Sequence, residues 1–227
     1  MRGIILISSL LMLGVQSLFA GMPGFGADGL SGLTEAQRQD LDKGKIVFST
    51  TDAGGSALIE AAVVFNVPLQ ETWRLLSRTE DQIKYLKEIY ELNIIKTEPA
   101  LNIQEFKLKI AFLDIVYRVV HRFDEANQYM YWSMDPSFGN DLEGLRGFWR
   151  FYPYGQGRCL ARYGSNVSVR NIPSWIEAIF KKSGVKKSLI AVKRYVDSGN
   201  LWGQVFKLDI WVNDIQLNCI TGEKCQV

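Results

Sequence analysis

The sequence predicts an α+β domain in which an antiparallel sheet of about seven strands packs against one long helix near the C-terminus. Six segments rich in β-branched and aromatic residues follow one another between residues 90 and 170, separated by turn residues. Short connections place neighbouring strands antiparallel. Residues 173–197 carry apolar side chains at helical spacing, and Gly199 suits the end of that helix.

The elements before residue 90 are predicted from local signals. Thr34 and Gln37 form a capping-box pattern, which begins a short helix that ends near Lys43. Residues 45–50 and 57–67 are rich in strand-forming residues. Pro68 stops the second of these segments, and two short helices are predicted to follow this first long strand, over residues 69–77 and 80–89. Thr79 is the expected N-cap of the second.

Three of the six later strands are predicted to have one charged and one apolar face. Between residues 115 and 124, Arg118 and Arg122 alternate with Tyr117 and His121, so the two pairs face opposite sides. Two further strands show the same alternation, which predicts that only one face of the sheet is covered, by the long helix. The predicted strands span residues 90–97, 103–112, 115–124, 128–134, 142–152 and 158–170.

Composition excludes several classes of protein. The chain of 227 residues has 26 Lys+Arg against 24 Asp+Glu, and this near balance provides no basic surface for a nucleic acid. One His and three Cys are too few for a His/Cys metal centre, and no cofactor motif is present. A catalytic triad would depend on His121, and the chain lacks the Gly-x-Ser-x-Gly nucleophile motif.

The first twenty residues predict export. Arg2 precedes an uncharged apolar run over residues 4–15, and the five residues that follow end in a small residue, Ala20. The run is shorter than the roughly 20 residues of a membrane-spanning helix. We therefore expect a signal peptide over residues 1–20, cleaved near Ala20, and a periplasmic or secreted protein. An uncleaved N-terminal anchor is the alternative.

Cysteine placement agrees with an exported chain. Cys219 and Cys225 bracket a five-residue segment that contains Gly222, and we predict a disulfide between them. Cys159 lies among apolar residues of a predicted strand and is expected to be buried and unreactive. Three cysteines allow three pairings, and the sequence alone leaves the choice open.

The remaining segments complete the predicted organisation. Residues 21–44 comprise a Gly-rich leader, interpreted as flexible, and the short helix. The domain spans residues 45–198. Residues 199–227 form a C-terminal extension whose apolar spacing fits a helix and a strand equally well.

One stretch carries a family resemblance. Pro68 follows a strand and precedes Thr72 and Trp73 in a helix, within the run IEAAVVFNVPLQETWRLL over residues 59–76. With the order of elements, this run resembles the START and pollen-allergen-like helix-grip superfamily (SRPBCC type), and the chain is identified as an exported bacterial member. The pollen-allergen branch has a Gly-rich loop between its second and third strands, whereas residues 98–102 read Glu-Pro-Ala-Leu-Asn here.

The resemblance implies a curved sheet that wraps around the long helix and encloses a hydrophobic pocket. Inward-facing aromatic residues would form its wall, and His121 would supply a polar group for a ligand. Core packing is the alternative role for the same side chains. The expected ligand-binding residues are Tyr117, His121, Tyr131, Trp149, Tyr163, Trp175 and Ile179.

The resemblance favours an exported binding or carrier protein for a hydrophobic small molecule or lipid. A cyclase- or dehydrase-like enzyme using His121 or a tyrosine is the first alternative, and a ligand-free interaction module is the second. Transient contact with a membrane surface is a further expectation, since Lys181, Lys182, Lys186 and Lys187 lie on one face of the helix. An ordinary solvated helix face explains these lysines equally well.

Overall fold

A computed structural model describes residues 23–53, 56–110, 113–169 and 184–199. In these ranges the helices are α1 (Glu35–Asp42), α2 (Leu69–Leu76), α3 (Gln82–Tyr85) and α4 (Val185–Asp197), and a 3-10 turn spans Thr79–Asp81. None of them is long and apolar enough to span a membrane.

All strands belong to one antiparallel sheet. They are β1 (Val47–Ala53), β2 (Ser56–Phe65), β3 (Ile89–Glu98), β4 (Leu101–Ile110), β5 (Leu113–Asp124), β6 (Tyr129–Met134), β7 (Leu142–Tyr154) and β8 (Arg158–Val169). Their order across the sheet is β1-β2-β8-β7-β6-β5-β4-β3. The α+β prediction is confirmed. The described sheet has eight strands rather than about seven, because β1 pairs with β2 and extends the sheet at one edge.

Local signals located most element boundaries. The capping box of α1 is present, with the Gln37 backbone N–H donating to Thr34 Oγ1 and the Gln37 side chain accepting from the Thr34 N–H. The second short helical segment ends at Tyr85 rather than at residue 89, because Leu86 adopts an extended backbone. Thr79 is the first residue of the 3-10 turn and not a helix N-cap. Its hydroxyl accepts a hydrogen bond from the Asn102 side chain at 3.5 Å.

The main core lies between α4 and the inner face of the sheet. Leu189, Val192, Tyr195 and Val196 of α4 are buried there. Cys159 is fully buried in the same cluster, as predicted, and burial raises the pKa of its thiol to about 11. The inner face of the sheet is therefore the side on which a ligand site is expected.

The outer face of the sheet is also covered, so the prediction of one covered face is wrong. Residues 23–44, here called the N-terminal strap, pack over it. The ring of Phe25 stacks on Phe148 with centroids 5.9 Å apart, and the Arg162 guanidinium lies 4.0 Å from the Phe25 centroid. Arg162 also donates hydrogen bonds to the carbonyl oxygens of Gly29 and Ser31 at 3.0 and 3.2 Å.

The same contacts correct the interpretation of the Gly-rich segment as a flexible leader. Phe25 is buried, and Leu30 and Leu33 pack against the outer cluster. These few apolar residues belong to one cluster with the aromatic side chains that β7 places on the outer face. The sequence did not predict this packing, because the few apolar residues of the Gly-rich segment follow neither the periodicity of a helix nor that of a strand.

A candidate ligand-binding cavity

A cavity of about 410 Å³ lies between the inner face of the sheet, α3 and α4. Ligand sites in proteins typically have volumes of about 300–1,000 Å³ and apolar walls with a few polar groups. This cavity fits both criteria. Its wall includes Phe106, Leu108, Val119, Met130, Trp132, Leu145, Trp149 and Val167 from the sheet, and Leu189 and Val192 from α4.

Strand alternation puts every second residue of β5 on the cavity wall. Tyr117, Val119 and His121 line the cavity, whereas Arg118 and Arg122 face the other side. The predicted inward and outward assignment of this strand is confirmed. Tyr117 stacks on Phe106 of β4 with centroids 5.4 Å apart, so two aromatic rings form a flat part of the wall.

Trp132 fills part of the inner surface because a glycine lies opposite it. Trp132 pairs in register with Gly147 of β7, and its indole lies where a Cβ at residue 147 would stand. The indole centroid is 5.9 Å from Tyr163 and 6.3 Å from His121. Trp132 therefore separates the His121 side of the cavity from the Tyr163 side.

His121 is a buried polar group on the wall. Only 7% of its surface is exposed, and its ring lies 6.2 Å from the Phe106 centroid. Its Nδ1 has no hydrogen-bond partner among the described residues. Burial lowers the pKa of the imidazole to about 3, so the ring is uncharged at neutral pH.

The tyrosines on the wall are uncharged as well. Burial raises the pKa of Tyr163 to about 12, partly offset by a hydrogen bond with Ser165. Burial also raises the pKa of Tyr117, and the nearby Tyr163 adds to that rise. The deep part of the cavity therefore offers neutral polar groups.

Exposed charged residues mark one end of the cavity, where Glu88 and Lys109 line it. Lys187 of α4 also lines the cavity and is exposed. The backbone N–H of Lys109 donates to the carbonyl of Glu88 at 2.9 Å, which holds β4 next to the segment that leads into β3. This exposed end is where a ligand would meet solvent.

The structure brings four of the seven predicted ligand-binding residues together. Tyr117, His121, Trp149 and Tyr163 all line the cavity. Trp175 and Ile179 lie outside the described residues, as do Cys219, Cys225 and the predicted signal peptide over residues 1–20.

Tyr131 does not face the cavity, and its predicted inward orientation is wrong. It packs on the outer face, where its ring stacks on Tyr129 with centroids 5.2 Å apart. Strand β6 carries aromatic or apolar residues on both faces, so alternation could not decide its orientation. The register with β7 decides it, because Met130 opposite Trp149 and Trp132 opposite Gly147 face inward.

Sequence reasoning missed Trp132, Phe106 and Ser165 as residues of the wall. The signal for Trp132 was Gly147, a glycine within an otherwise bulky strand, but using it requires the pairing register. Within the described ranges, no group of three or more His, Cys, Asp or Glu side chains is placed to hold a metal ion.

Comparisons with known proteins give a match at the level of structure. No family model matches the sequence, and no curated protein matches it either. The fold is similar to the Zhui aromatase/cyclase from a Streptomyces species, with a TM-score of 0.55 and 11% identity over 62% of this chain and 93% of that one.

Two further solved structures are similar. The STAR-related lipid transfer protein from Xanthomonas axonopodis has a TM-score of 0.58 and 12% identity, over 66% of this chain and 93% of that one. A START superfamily protein from Mycobacterium smegmatis has a TM-score of 0.53 and 13% identity, over 63% and 99%. Likeness at such identities concerns the fold. With its eight-stranded antiparallel sheet, C-terminal helix and short helices, the chain has the START-type helix-grip fold.

Proposed function

We propose that this protein binds a hydrophobic small molecule or lipid in the cavity between the sheet and α4. The observation that carries the proposal is the cavity of about 410 Å³ with an aromatic and aliphatic wall. A ligand that buries about 200 Å² of apolar surface there gains about 5 kcal/mol, before the cost of immobilising it.

The similar structures support the same function. One is named as an aromatase/cyclase and another as a lipid transfer protein. Both names imply a large apolar or aromatic molecule held by this fold. Carrying such a molecule between donor and acceptor is the role that we propose for this chain.

The pKa values of the polar groups on the wall favour binding over a cyclase- or dehydrase-like reaction. A general acid or base works best when its pKa lies near the working pH. Burial lowers the pKa of His121 to about 3 and raises that of Tyr163 to about 12. Both groups are thus poorly matched to proton transfer near neutral pH, whereas neutral polar groups suit a binding site.

The proposal is tested by filling the cavity. Leu145 lines it and is only half-buried, so Leu145→Trp places the larger side chain in the empty space. We expect this variant to take up N-phenyl-naphthylamine, an uncharged fluorescent probe, at least tenfold more weakly than the wild type. Val167→Phe at a second wall position should act in the same direction.

Ile94→Trp is the matched control, because Ile94 is 56% exposed on β3 and lies off the cavity wall. This substitution adds a tryptophan side chain outside the cavity and should leave probe uptake unchanged. Mass spectrometry of the purified protein should also detect co-purified lipid. Absence of probe uptake and of bound lipid in the wild type would reject the proposal.

We also propose that the protein is exported. Arg2, the apolar residues 4–15 and the small residue Ala20 before Gly21 support this. Intact-mass measurement of the protein from the periplasm or medium should give a chain that begins at Gly21. A full-length chain confined to the cytoplasm would contradict export.

Contact with a membrane surface is part of the carrier proposal. Lys186 and Lys187 are exposed at the start of α4, and Lys187 lines the cavity. A lysine near an anionic surface gains about 1 kcal/mol. Co-sedimentation with phosphatidylglycerol vesicles should therefore weaken in a Lys186→Gln, Lys187→Gln variant, and unchanged binding would contradict the contact.

A further inference from the structure

The feature that points beyond apolar binding is the unpaired imidazole of His121. The side chain is more than nine-tenths buried and lies on the cavity wall, and its Nδ1 has no partner among the described residues. Buried polar atoms in proteins nearly always have a hydrogen-bond partner, and each orphan costs about 1–3 kcal/mol. A partner from within the cavity would remove that cost.

The residues around His121 do not supply this partner. In the sheet His121 stands between Asn102 of β4 and Trp132 of β6, and the Asn102 amide is directed to Thr79. Gln104, diagonally across on the same face, is fully buried, and both polar atoms of its amide are likewise unpaired. This corner of the inner surface therefore has more hydrogen-bonding capacity than the described residues use.

Among the described residues that line the cavity, the cationic side chains are Lys109 and Lys187, and both are exposed. Lys109 pairs in register with Asp114, and His121 is seven residues further along β5, which corresponds to about 24 Å. Lys187 lies at the start of α4. The described wall residues therefore offer no buried cation to balance a ligand anion at His121, and burying an anion without one is strongly unfavourable.

We propose that the cavity takes an apolar alcohol, whose hydroxyl group forms a hydrogen bond with Nδ1 of His121 while its hydrocarbon body lies against the aromatic wall. A hydroxyl group both donates and accepts, so it satisfies either neutral tautomer of the ring. Burial keeps the imidazole uncharged, in agreement with an uncharged partner. The inference rests on the proposed function and specifies the chemical class of the ligand.

The test compares three molecules of equal chain length. n-Dodecane, n-dodecanol and dodecanoate are measured by displacement of N-phenyl-naphthylamine. In the wild type we expect the alcohol to bind about fivefold to tenfold more tightly than the alkane, the usual effect of one buried hydrogen bond. The carboxylate should bind more weakly than the alcohol.

Three variants separate the hydrogen bond from packing. His121→Leu should lose the preference for alcohol over alkane while still binding the alkane. His121→Gln keeps a polar group at this position and should retain part of the preference. Ser133→Ala removes a hydroxyl group from β6 next to Trp132 but off the cavity wall, and should leave the preference intact.

The outcomes distinguish the inference from the proposed function. Equal binding of alkane and alcohol by the wild type, or a preference that survives His121→Leu, would overturn the inference and leave hydrophobic binding standing. A preference for dodecanoate would overturn it as well. Failure of all three molecules and of the probe to bind would reject the proposed function itself. Circular dichroism of each variant checks that the fold is retained.

Discussion

Asp81 is a buried charged residue outside the cavity wall. It is 1% exposed, and its carboxylate accepts a hydrogen bond from the Tyr195 hydroxyl at 2.7 Å and pairs with Lys84 and Arg78. Burial alone would raise the pKa of Asp81, but the hydrogen bonds from Lys84 and Tyr195 outweigh it and leave the pKa lowered. Asp81 thereby joins the 3-10 turn to α4.

Tyr195→Phe should destabilise the protein by about 1.5–3 kcal/mol, because it removes a hydrogen bond to a buried charge. The pKa of Asp81 is lower in the folded state than in the unfolded state. The ionised carboxylate therefore stabilises the fold fully above the unfolded pKa of about 3.9, and this stabilisation is lost as the pH falls through the pKa of the folded state. The difference in the free energy of unfolding between the wild type and Tyr195→Phe should therefore become smaller at acidic pH. Urea unfolding at several pH values measures it.

The matched control is Tyr154→Phe, which removes a similar bond to Asp42 at 2.9 Å in an exposed position. We expect a loss below about 1 kcal/mol there, because water replaces the partner. Equal losses in the two variants would show that the burial of Asp81 does not set the size of the effect.

At the scale of elements, the N-terminal strap is the segment that covers the outer face of the sheet. It joins the outer face through Phe25 and Arg162 and through a hydrogen bond from Arg150 to the Pro23 carbonyl at 2.6 Å. Gly29 has a positive φ of 78° and lies so close to the ring of Tyr152 that a Cβ would stand 2.5 Å from it. This glycine allows the strap to lie directly on the sheet.

Gly29→Ala should therefore cost more than Gly32→Ala. Both positions have positive φ, 78° and 82°, but a Cβ at Gly32 meets no atom within 4 Å. The backbone strain of about 1 kcal/mol is common to both variants, and the clash with Tyr152 adds about 1–3 kcal/mol at Gly29 alone. Urea midpoints would compare them, and equal losses would argue against close packing of the strap.

At the scale of the whole molecule, the position of the cavity predicts that a bound ligand stabilises the fold against unfolding. Three helices, the 3-10 turn and six strands all contribute residues to the cavity wall, so a ligand that fills the cavity binds only the folded state. Such a ligand at one hundred times its Kd stabilises the fold by about 2.7 kcal/mol.

We accordingly expect saturating n-dodecanol to raise the Tm by about 5–10 °C, the shift that such a gain produces in a chain of this length. Differential scanning calorimetry measures it. The shift should disappear in Leu145→Trp and persist in Ile94→Trp, whose substitution lies outside the cavity. A shift of equal size in both variants would place the ligand elsewhere on the molecule.

Periodicity predicted the parts of the site where one face of a strand is charged. Arg118 and Arg122 identify the inward position of Tyr117 and His121, because a charged side chain is costly to bury and the alternation of a strand is strict. Tyr131 had no charged neighbour on its own strand to orient it. Its position depends on the pairing of β6 with β7, which joins separate segments of chain.

The sequence by itself determined the α+β class, most strand boundaries, the capping box of α1 and the inward face of β5, since these depend on local spacing and residue type. The tertiary structure decided the strap on the outer face, the place of Trp132 over Gly147 and the isolation of the His121 Nδ1. The physical reason is that packing against distant segments fixes the partners, the empty volume and the desolvation of each side chain, and none of these is a property of neighbouring residues along the chain.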